Sequence, residues 1–426
     1  MVQTMSERAK RIFPPAAGRV TDLGVVKAEG TYLYTEDGKK YLDFASGIAV
    51  CNLGHNHPQV IQAVKEQLDK MIHVGHNVVW YEPYISLGEK LVQLSGGDTM
   101  VYFSNSGAEA NEGAVKLAKY VSGRPALIAF RGGFHGRTLG TLSLTTSGAA
   151  KRKNYEALLP SVHFAEYPYC YRCPFGQEEG KCGLECLQYL EEKVFKLEVA
   201  PERVAAMIIE PVAGEGGYIV PPLEFIQELR SLCDRHGIYL IFDEIQTGIG
   251  RTGKIFAAEH FGITPDITTL GKAIGGGFPL SAVVAKREIM EKWDAGAHGG
   301  TFGGNPVACA AALLILKLLE EGYLDNAARM GQYFKDKLNK LQAKYSLIGD
   351  VRGLGLMIGV EFVRGDKKPA LDVAKQIQSH CLEHQLVLLT CGPDNNIIRF
   401  IAPTTVTHDE IDSALAVVEE GIAKCI

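Results

Sequence analysis

No apolar run in this chain approaches the roughly 18–20 residues that a membrane-crossing helix needs, and residues 1–11 are polar with no apolar stretch of the kind a secretory signal carries. A membrane is therefore not an expected partner. Charge of one sign is also lacking: 44 Lys and Arg stand against 49 Asp and Glu, for a net −5. That balance removes the basic surface by which nucleic acid or an anionic bilayer would be bound. Ten cysteines in 426 residues are too few for a disulfide framework, and they are expected to remain thiols in a reducing cytoplasm. Internal repeats and low-complexity tracts are absent. What remains is an ordinary soluble composition in a chain too long for one compact core, so two domains are expected.

The pattern along the chain is informative. Segments 27–34 and 40–44 flank Glu36-Asp37-Gly38 and predict a hairpin. Residues 58–71 have helical spacing, with Val60, Ile61, Val64 and Leu68 on one face. From about residue 91 to 286, strand signals at 99–103, 126–130, 162–165, 205–209, 239–242, 267–270 and 281–285 alternate with helix signals such as 107–121 and 223–236. Such alternation implies an α/β fold whose mostly parallel sheet is covered on both faces. After Asn305 two long helices, 306–321 and 325–341, precede strand signals at 357–362, 387–389 and 397–401. That tail reads as a smaller α+β domain with which the N-terminal hairpin could pack.

Chemistry begins at the end of one strand. The run Ile238-Tyr-Leu-Ile-Phe-Asp-Glu-Ile-Gln246 ends in Asp243, and Lys272 follows 29 residues later in a glycine-rich loop. A carboxylate at the end of a buried strand needs a cationic partner. An acid that keeps a ring nitrogen protonated, with an amine that can form an imine, is the minimum equipment of a pyridoxal phosphate enzyme. Gln246 can hydrogen-bond a phenolic oxygen on the same ring. Ser106-Gly107-Ala108 marks a strand-to-helix turn that offers N–H groups to phosphate, or simply a capping box with Glu109. Phe134-His135-Gly136-Arg137 offers an aromatic to stack on a ring and a guanidinium to clamp a carboxylate. Glu210 ends another strand, and Glu215 lies in the flexible loop after it, both suited to the carboxyl edge of a sheet. Thr301, among glycines before a helix start, can donate to phosphate. Gly248–Lys254 has nucleotide-loop spacing, but Ile255 stands where such a loop needs Ser or Thr, so it reads as a glycine-rich active-site loop.

Together these motifs, from Asp43-Phe-Ala-Ser-Gly-Ile48 and Gly54-His-Asn-His-Pro58 through Asp243-Glu-Ile-Gln-Thr-Gly-Ile-Gly-Arg-Thr-Gly253 to Arg399, resemble the class III (ω-amino acid) aminotransferases of pyridoxal phosphate fold type I. The resemblance implies a large domain with a seven-stranded sheet between helices and a small α+β domain built from both termini. It divides the chain into an N-terminal segment (1–60), a large cofactor domain (61–320) and a small C-terminal domain (321–426). It makes Lys272 the Schiff-base lysine, Asp243 the partner of the pyridine nitrogen and Gln246 that of the ring oxygen. Phe134 stacks on the ring beside His135, and Glu210 supports the Asp243–Gln246 side. Ser106, Gly107 and Ala108 bind the phosphate. Thr301 completes that site from a partner subunit, so a homodimer with shared active sites is implied, with pairing into tetramers left open.

Within the class the similarity is greatest to 4-aminobutyrate aminotransferases. There Arg137 corresponds to the arginine that holds the distal carboxylate, and Arg399 to the one that holds the α-carboxylate of glutamate and 2-oxoglutarate. Glu215 corresponds to the acid that pairs with that arginine when no α-carboxylate is present, and Ile48 packs beside the substrate. The implied reaction is ping-pong transfer from an ω-amino acid, best 4-aminobutyrate, to 2-oxoglutarate, giving a semialdehyde and glutamate. Acetylornithine and ornithine aminotransferases share most of these residues. Amino-acid racemases and epimerases of the same fold are also similar, but tend to carry Asp at the position of Glu215. Separately, Cys170, Cys173, Cys182 and Cys186 crowd into 17 residues. They could wrap a zinc ion or an iron–sulfur cluster; free thiols or a local disulfide are the alternatives.

Overall fold

A computed structural model describes residues 3–16, 18–155, 158–178 and 180–426. Its centre is a seven-stranded sheet in the spatial order Thr99–Ser104, Ser281–Lys286, Ile267–Leu270, Tyr239–Asp243, Val204–Ile209, Ala126–Phe130, Val162–Ala165. All neighbours run parallel except Ser281–Lys286, which is antiparallel to both strands beside it. Val204–Ile209 and Ala126–Phe130 are buried at every position. That explains their unbroken apolar sequences, because a sheet covered on both faces has no wet side to alternate with.

The helices begin and end where the local chemistry requires. Gly107–Ser122 starts with Ser106 accepting from the Glu109 N–H and stops at Gly123, which takes a left-handed conformation at φ 67°. The carboxyl ends of the parallel strands open into residues 131–137, 210–217, 244–246 and 271–272, so most of the chemistry-bearing segments emerge on one edge of the sheet.

Two smaller sheets complete the fold. Ile348–Leu354, Met357–Arg364, Ile397–Phe400 and Leu389–Cys391 form one in that order, with Lys368–Pro369 alongside. Val25–Glu29, Tyr32–Thr35, Lys40–Asp43 and Leu386–Val387 form the other. The N-terminal strands thus hydrogen-bond to a strand from residue 386, and Phe44 packs edge-on to Phe334, which in turn meets Phe400.

Several expected elements differ. The 27–34 stretch is two strands, because Gly30 turns the chain at φ 55°. The 387–389 stretch is split between two sheets. Ile348–Leu354 is a strand without the alternation that would announce it, since its residues are mostly half-buried. The helix expected over 306–321 is regular only through Leu318, and the chain kinks at Gly322. Among the described residues no helix is long and apolar enough to cross a membrane.

Candidate active site

Asp243 closes its strand with a carboxylate that is 3% exposed. Oδ1 accepts the Ile245 N–H at 3.1 Å, and Oδ2 accepts from Asn111 Nδ2 at 2.8 Å and faces His135 Nδ1 at 2.8 Å. Burial works against charge on the His135 ring, but the hydrogen bond to Asp243 prevails and its pKa rises. Its Nε2 is buried without a partner. At the end of the adjacent strand, Glu210 Oε2 accepts the Phe134 N–H at 2.9 Å and Oε1 the Gly214 N–H at 3.1 Å. Burial pushes that carboxyl up, against the pull of His135. One acid therefore ties the aromatic loop and the glycine loop to the same strand end.

Gln246 Oε1 accepts from the Tyr218 hydroxyl at 2.8 Å. Gly214 lies so close that a Cβ there would stand 2.2 Å from Gln246 Nε2, so a larger residue would displace that amide. Lys272 occupies the turn after Ile267–Leu270 at φ 46°, unusual for a non-glycine residue and a sign of imposed strain. Its amine is buried, and burial drives its pKa down although Asp243 pulls the other way. A lowered pKa favours the neutral amine, the form that acts as nucleophile and base.

Gly107 opens its helix against Ile245, where a Cβ would approach two carbons at 2.8 Å. As the first two residues of that helix, Gly107 and Ala108 have N–H groups with no helical acceptor. Glu109 folds back to accept from Asn105 N and Nδ2. An anion receptor, a buried carboxylate, an amide, a half-buried aromatic and an amine of lowered pKa match the phosphate, ring nitrogen, ring oxygen, ring face and aldehyde of pyridoxal phosphate. Gly107 and Gly214 bring the backbone close against Ile245 and Gln246 around this donor set, and the buried His135 Nε2 has no partner.

The remaining candidates form a looser rim. Arg399, 5% exposed on Ile397–Phe400, donates from Nη1 to Glu215 Oε1 at 2.6 Å, while its Nε lacks a partner. Lys151 stands 3.6 Å from the other Glu215 oxygen. Burial opposes ionisation of Glu215, but Arg399 and Lys151 hold its carboxyl below the usual range. Arg137 is exposed, 5.7 Å from the Phe134 ring centroid, with no ion pair among the described residues. Ile48 is 49% exposed at φ 64°, inside four consecutive left-handed residues, Ser46–Ala49. A β-branched residue there is a backbone outlier. Thr301 is exposed, and its hydroxyl has no hydrogen-bond partner among the described residues.

Three residues were missed from sequence. Asn111 is fully buried and links Thr269, Asp243 and the His135 carbonyl. Its signal was an amide one turn after Gly107 on an otherwise small, apolar helix face. Tyr218 and Lys151 carried no local signal. The Gly248–Lys254 stretch is a packing turn rather than an active-site loop. The Ile249 and Gly250 N–H groups are spent on the Ile255 and Lys254 carbonyls. Arg251, fully buried, donates to Ala402, Leu356 and Asn52. None of the ten cysteines is in a disulfide.

The sequence profile of the family described as aminotransferase class-III matches residues 14–422. A 5-aminovalerate aminotransferase, DavT, of Pseudomonas aeruginosa is 42% identical, over 98% of this chain and 97% of its own. A 4-aminobutyrate aminotransferase, GabT, of Escherichia coli is 41% identical, over 98% and 97%. A leucine/methionine racemase of Thermococcus litoralis is 40% identical, over 98% and 94%. Among solved structures, a PLP-bound amine transaminase from an uncultivated Pseudomonas species superimposes with a TM-score of 0.90 at 31% identity, covering 97% of this chain and 98% of that one. With the fold and the donor set in place, the chain belongs to the class III aminotransferases, enzymes that depend on pyridoxal phosphate.

Proposed function

We propose that this enzyme transfers the amino group of an ω-amino acid of the 4-aminobutyrate type to 2-oxoglutarate, leaving a semialdehyde and glutamate. The observation that carries the reading is the Glu215–Arg399 pair at 2.6 Å. A buried guanidinium is costly unless neutralised. When the donor has one carboxylate, Glu215 fills that role. When 2-oxoglutarate or glutamate brings an α-carboxylate, Glu215 must leave Arg399, and Lys151 at 3.6 Å offers it another cation. The pair thus lets one site accept a monocarboxylate and a dicarboxylate in turn. Arg137, exposed beside Phe134, is the group for the distal carboxylate, which both substrates possess. The relatives named for 4-aminobutyrate and 5-aminovalerate support this donor class, the two acids differing by one methylene.

Bound in the site, pyridoxal phosphate supplies an electron sink for the carbon that bears the amine. Asp243, with Asn111 and His135 fixing its Oδ2, would hold the ring-nitrogen proton. Gln246 orients the ring oxygen, Phe134 covers one ring face, and Ser106, Gly107 and Ala108 take the phosphate. Lys272 Nζ, its pKa lowered by burial, would remove the proton from the amine-bearing carbon and deliver it again.

A homodimer with shared sites belongs to the same proposal. The support is the exposed Thr301 on a loop beside exposed Ile72, Val78, Trp80 and Phe302, with His73 against the Phe302 ring and Asn77 donating to Gly300. An apolar patch of this kind is characteristic of subunit contacts. The test is a panel of donors against 2-oxoglutarate, following the cofactor absorbance through each half-reaction, with size measurement of the holoenzyme. Turnover confined to ω-amino acids supports the reading. Loss of optical rotation from a single-enantiomer amino acid without any oxoacid would replace it with racemisation.

A further inference from the structure

Outside the active site, four thiols converge. Cys170, Cys173, Cys182 and Cys186 all line one cavity of about 30 Å³ beneath the segment 168–186. That volume suits one or two waters or a single ion. Glu185 lines the same cavity, and its Oε2 is buried with no hydrogen-bond partner. The amino-acid aminotransferase chemistry described above uses none of these groups.

We propose that the four thiolates hold one zinc ion, a structural site separate from the pyridoxal phosphate. Soft sulfur donors in pairs, Cys-x2-Cys and Cys-x3-Cys, select zinc over hard cations, and four sulfurs leave no position open for catalysis. Zinc–sulfur bonds of about 2.3 Å put the sulfurs of a tetrahedral site roughly 3.8 Å apart. Among the described residues no three of the sulfurs lie within 4.8 Å of one another. Ion binding therefore requires the four sulfurs to draw closer around it. Four thiol protons leave as the four sulfur–zinc bonds form, with no change of oxidation state.

The location gives the ion a purpose. Between Cys170 and Cys173, Arg172 donates to the fully buried Glu361, as does Tyr169 just before them. Arg352 pairs with the same carboxylate at 2.8 Å and donates to the Gly217 carbonyl at 2.7 Å, two residues beyond Glu215. The metal thus anchors a clamp between the sheet's outer strands and the C-terminal strands, one step from the movable acid.

Metal analysis of holoenzyme purified without oxygen and without added metal tests this directly. About one zinc per chain is expected, with no acid-labile sulfide. The paired substitutions Cys170→Ser with Cys173→Ser, and Cys182→Ser with Cys186→Ser, should each lower zinc content at least ~10-fold. Pyridoxal phosphate content should stay unchanged. Should those variants fail to fold, the unaltered enzyme serves: cobalt exchange should give the intense visible bands of tetrahedral thiolate coordination. A zinc chelator should then expose four of the ten thiols to a thiol reagent and speed hydrogen exchange across 168–186. Iron with sulfide, a disulfide among the four, or metal that stays bound after their replacement overturns the proposal, as does a chain without metal whose exchange is indifferent to the chelator.

Discussion

The floor of the active site and its rim are built differently. On the floor, Asp243, Glu210, Gln246 and Lys272 follow directly from strand ends of one sheet, and the three acceptors are pinned by hydrogen bonds of 2.8–3.1 Å. On the rim, Ile48, Arg137, Glu215, Arg399 and Thr301 come from distant segments, and three of them are exposed. The contact that joins two of them is an ion pair with a second cation waiting nearby. A rigid floor suits steps common to every reaction of this cofactor, where reacting groups must be preorganised. A rim with alternative pairings suits the task of admitting two unlike substrates in succession.

Substitutions should separate the two. Lys272→Ala breaks the floor and should lower turnover by at least ~10⁴-fold with every donor, the range of a lost general base that is also the covalent anchor; stopped-flow absorbance should show neither half-reaction. Retention within tenfold would remove Lys272 from the mechanism. Arg399→Ala touches only the rim. Loss of two charge-assisted hydrogen bonds, each ~1.5–3 kcal/mol, should cut kcat/KM for 2-oxoglutarate by about 100-fold or more. The ω-amine half-reaction should change far less, and equal losses in both would erase the distinction drawn here. Glu215→Gln reverses the asymmetry: the ω-amine half should slow by ~10-fold, about 1.4 kcal/mol, with the oxoacid half nearly intact.

The smallest effect is expected from Glu244, the neighbour of Asp243 on the side away from the cofactor. Burial pushes its carboxyl up to about 7, although the Ala257 and Ala258 N–H groups donate to it. The folded chain therefore keeps a proton that the unfolded chain loses above about 4.5, and stability falls as pH rises between those values. Glu244→Gln should flatten that slope, moving the thermal midpoint by only a few degrees and leaving kcat unchanged. An undiminished slope would assign the titration elsewhere.

Much of the large sheet was legible: the fully buried strand 126–130 reads as an apolar run, and it and the partly buried 162–165 and 267–270 match the observed strands residue for residue. The smaller sheets were harder. Ile348–Leu354 is half-buried along most of its length, and the strands at 386 and 389 differ only in which neighbour they meet. In the site, Asp243 and Lys272 stood out because charge at the end of an apolar run has no packing explanation. Asn111 did not stand out, since a single amide on a helix looks like a surface residue until the helix is laid on the sheet.

The sequence by itself determined the cofactor and the class, because strand ends and glycine turns are local and carry their chemistry with them. The resemblance implied that Glu215 pairs with Arg399, 184 positions away; only the tertiary structure placed Lys151 beside that pair. It alone also drew four cysteines and a bare carboxylate oxygen around one small cavity. The first depends on long-range packing, which places charges together at a cost in desolvation that no local pattern records.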